Sequence, residues 1–244
     1  MIYVVRYALI SVFTVIWGTI GCTWGLLDGD RTVWVAQNWI SWILRSCGIQ
    51  VIVEGDGLDQ LGEDRPVVLM SNHQSVFDIA AIVTTWYPRN WRFVAKRELT
   101  WIPFFGWALK LGGHVIIDRS RRASAVKSLQ SAADQVRRGT TVMIFPEGTR
   151  GGGGEMLPFK SGGFHLATQA GVPILPVSVS GSAAITPKKS LRIESGVIRI
   201  RYGTPIETRG RDDGEADRQA LKDEVRASIE AGLAANGLSH DAAA

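Results

Sequence analysis

Cysteine is scarce here: the 244 residues include two, Cys22 and Cys47. Neither belongs to a CxxC pair or stands beside a histidine. That excludes zinc-finger and redox-motif chemistry, and both read as bystander thiols in a reducing compartment. No metal site is expected. A dense stripe of lysine and arginine is also missing, and the formal charge is only +4, so no nucleic-acid partner is expected. No G-x-S-x-G elbow occurs, which argues against a lipase-like hydrolase. No internal repeat is visible. The length suits one sizeable α/β domain with a short appendage.

Charge is absent from one long stretch. The 21 residues from Tyr7 to Leu27 carry none, and as a helix they would extend about 30 Å, enough to cross a hydrocarbon core. A cleaved signal peptide fits poorly. Arg6 is the single cation ahead of the run, the run is long, and no small-residue cleavage site precedes the turn Asp28-Gly29-Asp30. A second apolar stretch, Arg31 to Cys47, has ionic charge only at Arg31 and Arg45, near its ends. Five of the nine tryptophans fall within the first 53 residues. The expectation is a helical membrane anchor over residues 1–48. It is either a hairpin dipping into one leaflet or a spanning helix followed by an interfacial one with a tryptophan belt. The alternative is a core helix pair. The basic balance suits an anionic bilayer surface.

Past Gln50 the pattern changes to short β-branched runs alternating with helical stretches. Expected strands are Val51–Glu54, Val67–Ser71, Arg92–Ala95, His114–Asp118 (ending at Arg119), Val142–Phe145, Ile174–Ser178 and Val197–Tyr202. Helices are expected over Val76–Trp86, Ile102–Lys110, Ala123–Arg138, Gly162–Ala170 and Glu215–Ala235. The last carries the apolar stripe Leu221, Val225, Ile229, Leu233. This alternation predicts an α/β domain over residues 49–240 with a mixed, largely parallel sheet flanked by helices. Gly151–Gly154 reads as a loop and Ser239–Ala244 as a frayed end.

Four segments bear on chemistry. Ser71-Asn72-His73-Gln74-Ser75-Val76-Phe77-Asp78 follows an apolar strand and opens a helix, with Asn72 or Ser75 suited to cap it. Ligands of α/β sheets gather at the carboxyl ends of strands. A histidine there is suited to act as a general base, with Asp78 fixing its tautomer and stabilising the imidazolium. Lys96 and Arg97 precede an aromatic run (Trp101, Phe104, Phe105, Trp107), which describes an anionic head group meeting an acyl chain, or else a solvated basic turn. In Phe145-Pro146-Glu147-Gly148-Thr149-Arg150, the glycine permits close backbone approach and the arginine offers a planar fork for phosphate oxygens. Lys160 stands just before a helix start at Gly162, itself a place for an anion. Finally, prolines bracket Val172-Pro173-Ile174-Leu175-Pro176-Val177 and predict an edge strand or a pocket wall.

Together NHQSVFD, the K-x-E-L…P…G…IDR pattern and FPEGTR, in this order between Val67 and Val177, resemble the glycerolipid acyltransferase family. Its best-known members acylate 1-acyl-sn-glycerol-3-phosphate. The resemblance implies His73 as catalytic base and Asp78 as its partner. It places Glu147, Gly148, Thr149 and Arg150 at the acceptor phosphate, helped by Lys96, Arg97 or Lys160. The implied substrates are lysophosphatidic acid and a thioester donor, acyl-CoA or acyl carrier protein, with no cofactor. The implied place is the membrane, with the catalytic domain on the cytoplasmic face, although the flanking arginines are too few to fix that orientation. One departure is the run Gly151–Gly154, where the family often has a further serine or basic residue. Other expectations left open are acylation of another lyso-lipid, such as a lyso-ornithine lipid, and a lipid-binding module without catalysis.

Overall fold

The computed structural model describes residues 2–62, 65–86, 90–118, 122–151, 155–187 and 190–237. Arg119, most of the glycine run after Arg150 and the tail Ser239–Ala244 therefore lie outside the described residues.

The chain opens with two helices, α1 (Ile2–Leu27) and α2 (Arg31–Cys47). The sheet domain then begins with β1 (Ile49–Glu54), α3 (Gly57–Leu61), β2 (Val68–Ser71) and α4 (Phe77–Trp86). It continues through β3 (Trp91–Lys96), a 3-10 turn (Arg97–Trp101), α5 (Phe105–Leu111), β4 (Val115–Ile117) and α6 (Arg122–Arg137). After β5 (Thr141–Ile144) come α7 (Gly162–Ala170), β6 (Ile174–Ser180) and α8 (Ser182–Ile185). The closing elements are β7 (Gly196–Tyr202) and α9 (Glu215–Ala235).

Seven strands form one sheet in the order β1-β7-β6-β2-β5-β3-β4. Every pairing is parallel except β6 with β7. This is the mixed, largely parallel α/β sheet the alternation predicts. Its central strands β2, β5 and β6 are buried at every residue, as strands covered on both faces must be. One core unites Leu69, Val177 and Ile198 with α2 and α4, and the other joins Val68, Met70 and Ile174 to α6, α7 and α9.

The proline-bracketed strand is not at an edge: β6 sits between β7 and β2. The Pro176 carbonyl faces the β7 side, where it accepts from the Gly203 N–H at 2.9 Å. The missing N–H points the same way, just beyond Tyr202, the last β7 residue paired with β6. The ladder to β2 is untouched, so a proline is tolerated in a central strand.

The two amino-terminal helices differ in what they bury. In α2, Val33, Ile40, Ile43, Leu44 and Cys47 enter the same core as β2 and α4, while Trp34 and Trp42 stay exposed. The second helix and the sheet thus share one core. By contrast, only 17% of the most apolar window of α1 is buried, and Val4, Val12, Val15, Ile16, Leu26 and Leu27 face outward. Both ends of α1 are nevertheless fastened to the domain. Tyr3 and Arg6 bond Glu194 and the Ile193 carbonyl. Near the other end, Gly25 lies so close to Leu111 that an added Cβ would fall 2.9 Å from its Cβ.

Candidate active site

The parallel strands β2, β5 and β3 end side by side, so the three sequence motifs that follow them meet at one edge of the sheet. β2 stops at Ser71, and the next side chain continues its ladder. The Asn72 amide donates to the Val179 carbonyl and accepts from the Val179 N–H, both at 2.8 Å. Capping of α4 falls to Ser75, whose Oγ accepts from the Phe77 N–H. The backbone between them is bent around a carboxylate.

That carboxylate is Asp78, fully buried in the first turn of α4. Its Oδ2 lies 2.9 Å from His73 Nδ1 and accepts the Gln74 and Ser75 N–H groups at 2.6 and 2.8 Å. Its Oδ1 accepts from Ser182 Oγ on α8. An ionised carboxylate can only accept, so Nδ1 carries the proton and Nε2 presents a lone pair. Nε2 has no hydrogen-bond partner among the described residues, and the imidazole is still partly open to solvent. Its ring stacks on Phe145 with centroids 4.0 Å apart. Ser75 also bonds Thr186, so the segment after β6 braces the whole loop.

The turn after β5 closes the other side. Glu147 is buried, and burial pushes its carboxyl pKa above the usual range. Its Oε1 accepts from the His73 N–H at 2.7 Å and its Oε2 from the Leu157 N–H at 2.9 Å. Gly148 has φ 72°, a backbone conformation that favours glycine, and Lys160 Nζ lies 2.8 Å from where a Cβ would stand. Lys160 thus lies over the same turn that carries Thr149 and the half-buried Arg150. Lys96 is exposed at the end of β3, two strands from His73. Arg97 is turned to Asp118 at 2.7 Å and lies over Trp101. The structure therefore joins His73, Asp78 and Glu147 directly, with Gly148, Thr149, Arg150 and Lys160 at the adjoining turn and the Lys96 pair further along the edge.

Beside the loop is an apolar cavity of about 400 Å³ between α1, α2, α4, β3 and α5. Val76, Phe77 and Ala80, on the loop and helix that follow His73, line one side of it, and Trp17, Trp39 and Phe93 line it elsewhere; His73 itself is not in its wall. That volume falls within the range of small-ligand sites. A second histidine, His114, also lines the cavity but is unsuited to take a proton. Burial, and then Arg92, push its pKa down to about 3, and its Nδ1 accepts from the Phe93 N–H.

Ser182 and Thr186 have no motif to announce them. They lie more than 100 residues after the loop they brace.

These observations define a class: an α/β protein with a histidine–carboxylate pair at the carboxyl edge of a mostly parallel sheet and an apolar cavity near the same loop. A family model described as acyltransferase matches residues 51–180, more than half of the sequence, and the chain belongs to the acyltransferase family. Human 1-acyl-sn-glycerol-3-phosphate acyltransferase alpha is 39% identical over 178 residues, 72% of this chain and 62% of the human one. The match therefore spans less than two thirds of that relative. The 1-acyl-sn-glycerol-3-phosphate acyltransferase of Pseudomonas aeruginosa is 36% identical over 214 residues, 85% of this chain and 81% of its own. Among solved structures, the 1-acyl-sn-glycerophosphate (LPA) acyltransferase PlsC from Thermotoga maritima superposes with a TM-score of 0.80 at 26% identity. That superposition covers 98% of this chain and 95% of the other.

Proposed function

We propose that this protein transfers a fatty acyl group from acyl-CoA or acyl carrier protein to the free sn-2 hydroxyl of 1-acyl-sn-glycerol-3-phosphate, giving phosphatidic acid. The observation that carries the reading is the His73–Asp78 pair, with Nε2 unpartnered among the described residues, set between a cation-bearing turn and an apolar cavity. Nε2 takes the hydroxyl proton as that oxygen bonds the thioester carbonyl carbon. The tetrahedral adduct collapses, the carbon–sulfur bond breaks, and the imidazolium returns the proton to the departing thiolate. Asp78 stabilises the imidazolium in between. A thioester is already activated, so the step balances without a metal or an acyl-enzyme. The relatives' names supply the acceptor; Arg150 and Lys160 suit its phosphate, and the cavity suits a fatty chain.

Removal of the phosphate fork separates binding from chemistry. In Arg150→Ala the acceptor KM should rise about 10- to 150-fold, the equivalent of roughly 1.5–3 kcal/mol for a charge-assisted contact, with the donor KM nearly unchanged. Steady-state kinetics varying each substrate in turn checks this. A shift confined to the donor KM would place Arg150 on the carrier.

Residues 1–48 serve, in the same proposal, as the membrane anchor of a catalytic domain over residues 49–240. Because both ends of α1 are fastened to that domain, the helix lies in the plane of one leaflet with its outward apolar face in lipid. High salt and carbonate should leave the protein on the membrane, and detergent should release it, since burial and not charge pairing holds it. Changing Val12, Val15 and Ile16 together to serine should move most of the folded protein to the soluble fraction. Full retention on membranes would contradict an anchor made by this face.

A further inference from the structure

Glu147 falls in a motif rich in phosphate-binding chemistry, yet its own surroundings tell a different story. A carboxylate repels phosphate, and both oxygens of this one are already committed to backbone N–H groups, of His73 and of Leu157. The same stretch of chain holds His73 a second time, because the Gly151 N–H donates to the His73 carbonyl at 2.8 Å. Both backbone groups of the histidine are therefore fixed by the segment that follows β5. The far side of the clamp is fixed in turn: Arg226 on α9 donates to the Met156 and Leu157 carbonyls at 2.9 and 3.2 Å. A continuous run of bonds thus leads from α9 through residues 156–157 and Glu147 to the backbone of His73.

We propose that Glu147 is a positioning residue: its carboxylate locks the backbone of His73 so that Nε2 is aimed at the reacting hydroxyl, and it makes no contact with the acceptor phosphate. This rests on the reading of His73 as the base. Asp78 orients the imidazole about its side-chain bonds, and Glu147 sets where that side chain starts. Burial favours such a role, since a dry carboxylate accepting two N–H bonds resists displacement. A glutamine cannot replace it. Its oxygen can accept one N–H, but its amide nitrogen then turns a donor toward the other.

The test uses the full chain in detergent with lysophosphatidic acid and acyl-CoA, comparing E147Q, G151A, R150A and H73A. A misplacement near 1 Å costs about 10²-fold in rate. E147Q should therefore lose about 10²-fold in kcat, with the acceptor KM within about twofold of wild type, and the N–H left facing the amide should lower its melting temperature modestly. Amide exchange in the peptide carrying His73 should quicken. G151A is the gentler probe and the deciding one if E147Q does not fold. Its added methyl would lie 3.3 Å from Glu147 Oε2, close enough to push the carboxylate by a few tenths of an ångström. It should lower kcat by roughly three- to tenfold and leave KM alone. R150A should show the opposite split. If E147Q or G151A instead raises the acceptor KM as far as kcat falls, or leaves kcat intact, the positioning role is overturned. H73A tells the two failures apart: an active H73A sinks the base itself, whereas an inactive H73A beside unimpaired E147Q and G151A sinks only this inference.

Discussion

His73→Ala should lose acyl transfer by about 10²–10⁴-fold, the usual contribution of a general base. The expectation follows from the one nitrogen the structure leaves available. Nδ1 is tied to Asp78 at 2.9 Å, and Nε2 has no partner among the described residues. The fold should survive. His73 sits past the end of β2, its ring stacks on Phe145, and the N–H groups of Gln74 and Ser75 hold the Asp78 carboxylate without it. Circular dichroism and a melting temperature close to wild type, together with a collapsed kcat, would be the matching pair of results. Retention of more than about a tenth of the activity would remove His73 from the chemistry.

Asp78→Asn is the second large effect, for a different reason. Four donors converge on the native carboxylate, from His73, Gln74, Ser75 and Ser182. An asparagine can keep its oxygen toward the first three and turn its amide toward Ser182, whose hydroxyl can rotate to accept. The loop should therefore fold. What disappears is the negative charge opposite the imidazolium, and with it much of the stabilisation of the proton-bearing state. A fall in kcat of about 10²–10⁴-fold, with both KM values little changed, is expected. Asp78→Ala should be worse in another way. It leaves buried donors unsatisfied at roughly 1–3 kcal/mol each, so its melting temperature should drop as well. A D78N enzyme running near the wild-type rate would show the pair to be structural.

Much of this arrangement was legible in the chain before any coordinates. Strand ends carry the site because β-branched runs stop where Ser71, Phe145 and Lys96 begin polar turns, and parallel pairing then lines those ends up. The seven strands and five longer helices were expected within a few residues of where they lie. Three features were not. α3, α8 and the 3-10 turn span only four or five residues, too few for a periodic signal. The interior position of β6 is hidden in the sequence because a proline's cost depends on which neighbour its missing N–H faces, and only the pairing with β7 reveals that. Apolar composition also could not separate α1 from α2. Lipid and protein core demand the same residues, and the difference appears only when Ile40 and Leu44 are seen against the sheet and Val15 and Ile16 are seen facing away. Within the site, Ser182 reaches Asp78 across more than a hundred residues of chain, and Glu147 reads as part of a phosphate motif until its oxygens are found on backbone N–H groups.

The central claim is that this site joins an acyl group to a lysophosphatidic acid hydroxyl and does not hand it to water. The most direct measurement incubates the purified, detergent-solubilised protein with radiolabelled acyl-CoA or acyl carrier protein and a panel of acceptors: lysophosphatidic acid, lyso-lipids with larger head groups, a lyso-ornithine lipid, and none. Label should pass to phosphatidic acid with lysophosphatidic acid, in a reaction lost in H73A, and little free fatty acid should form without acceptor. Label recovered mainly as free fatty acid, or on another lyso-lipid in preference to lysophosphatidic acid, would contradict the account.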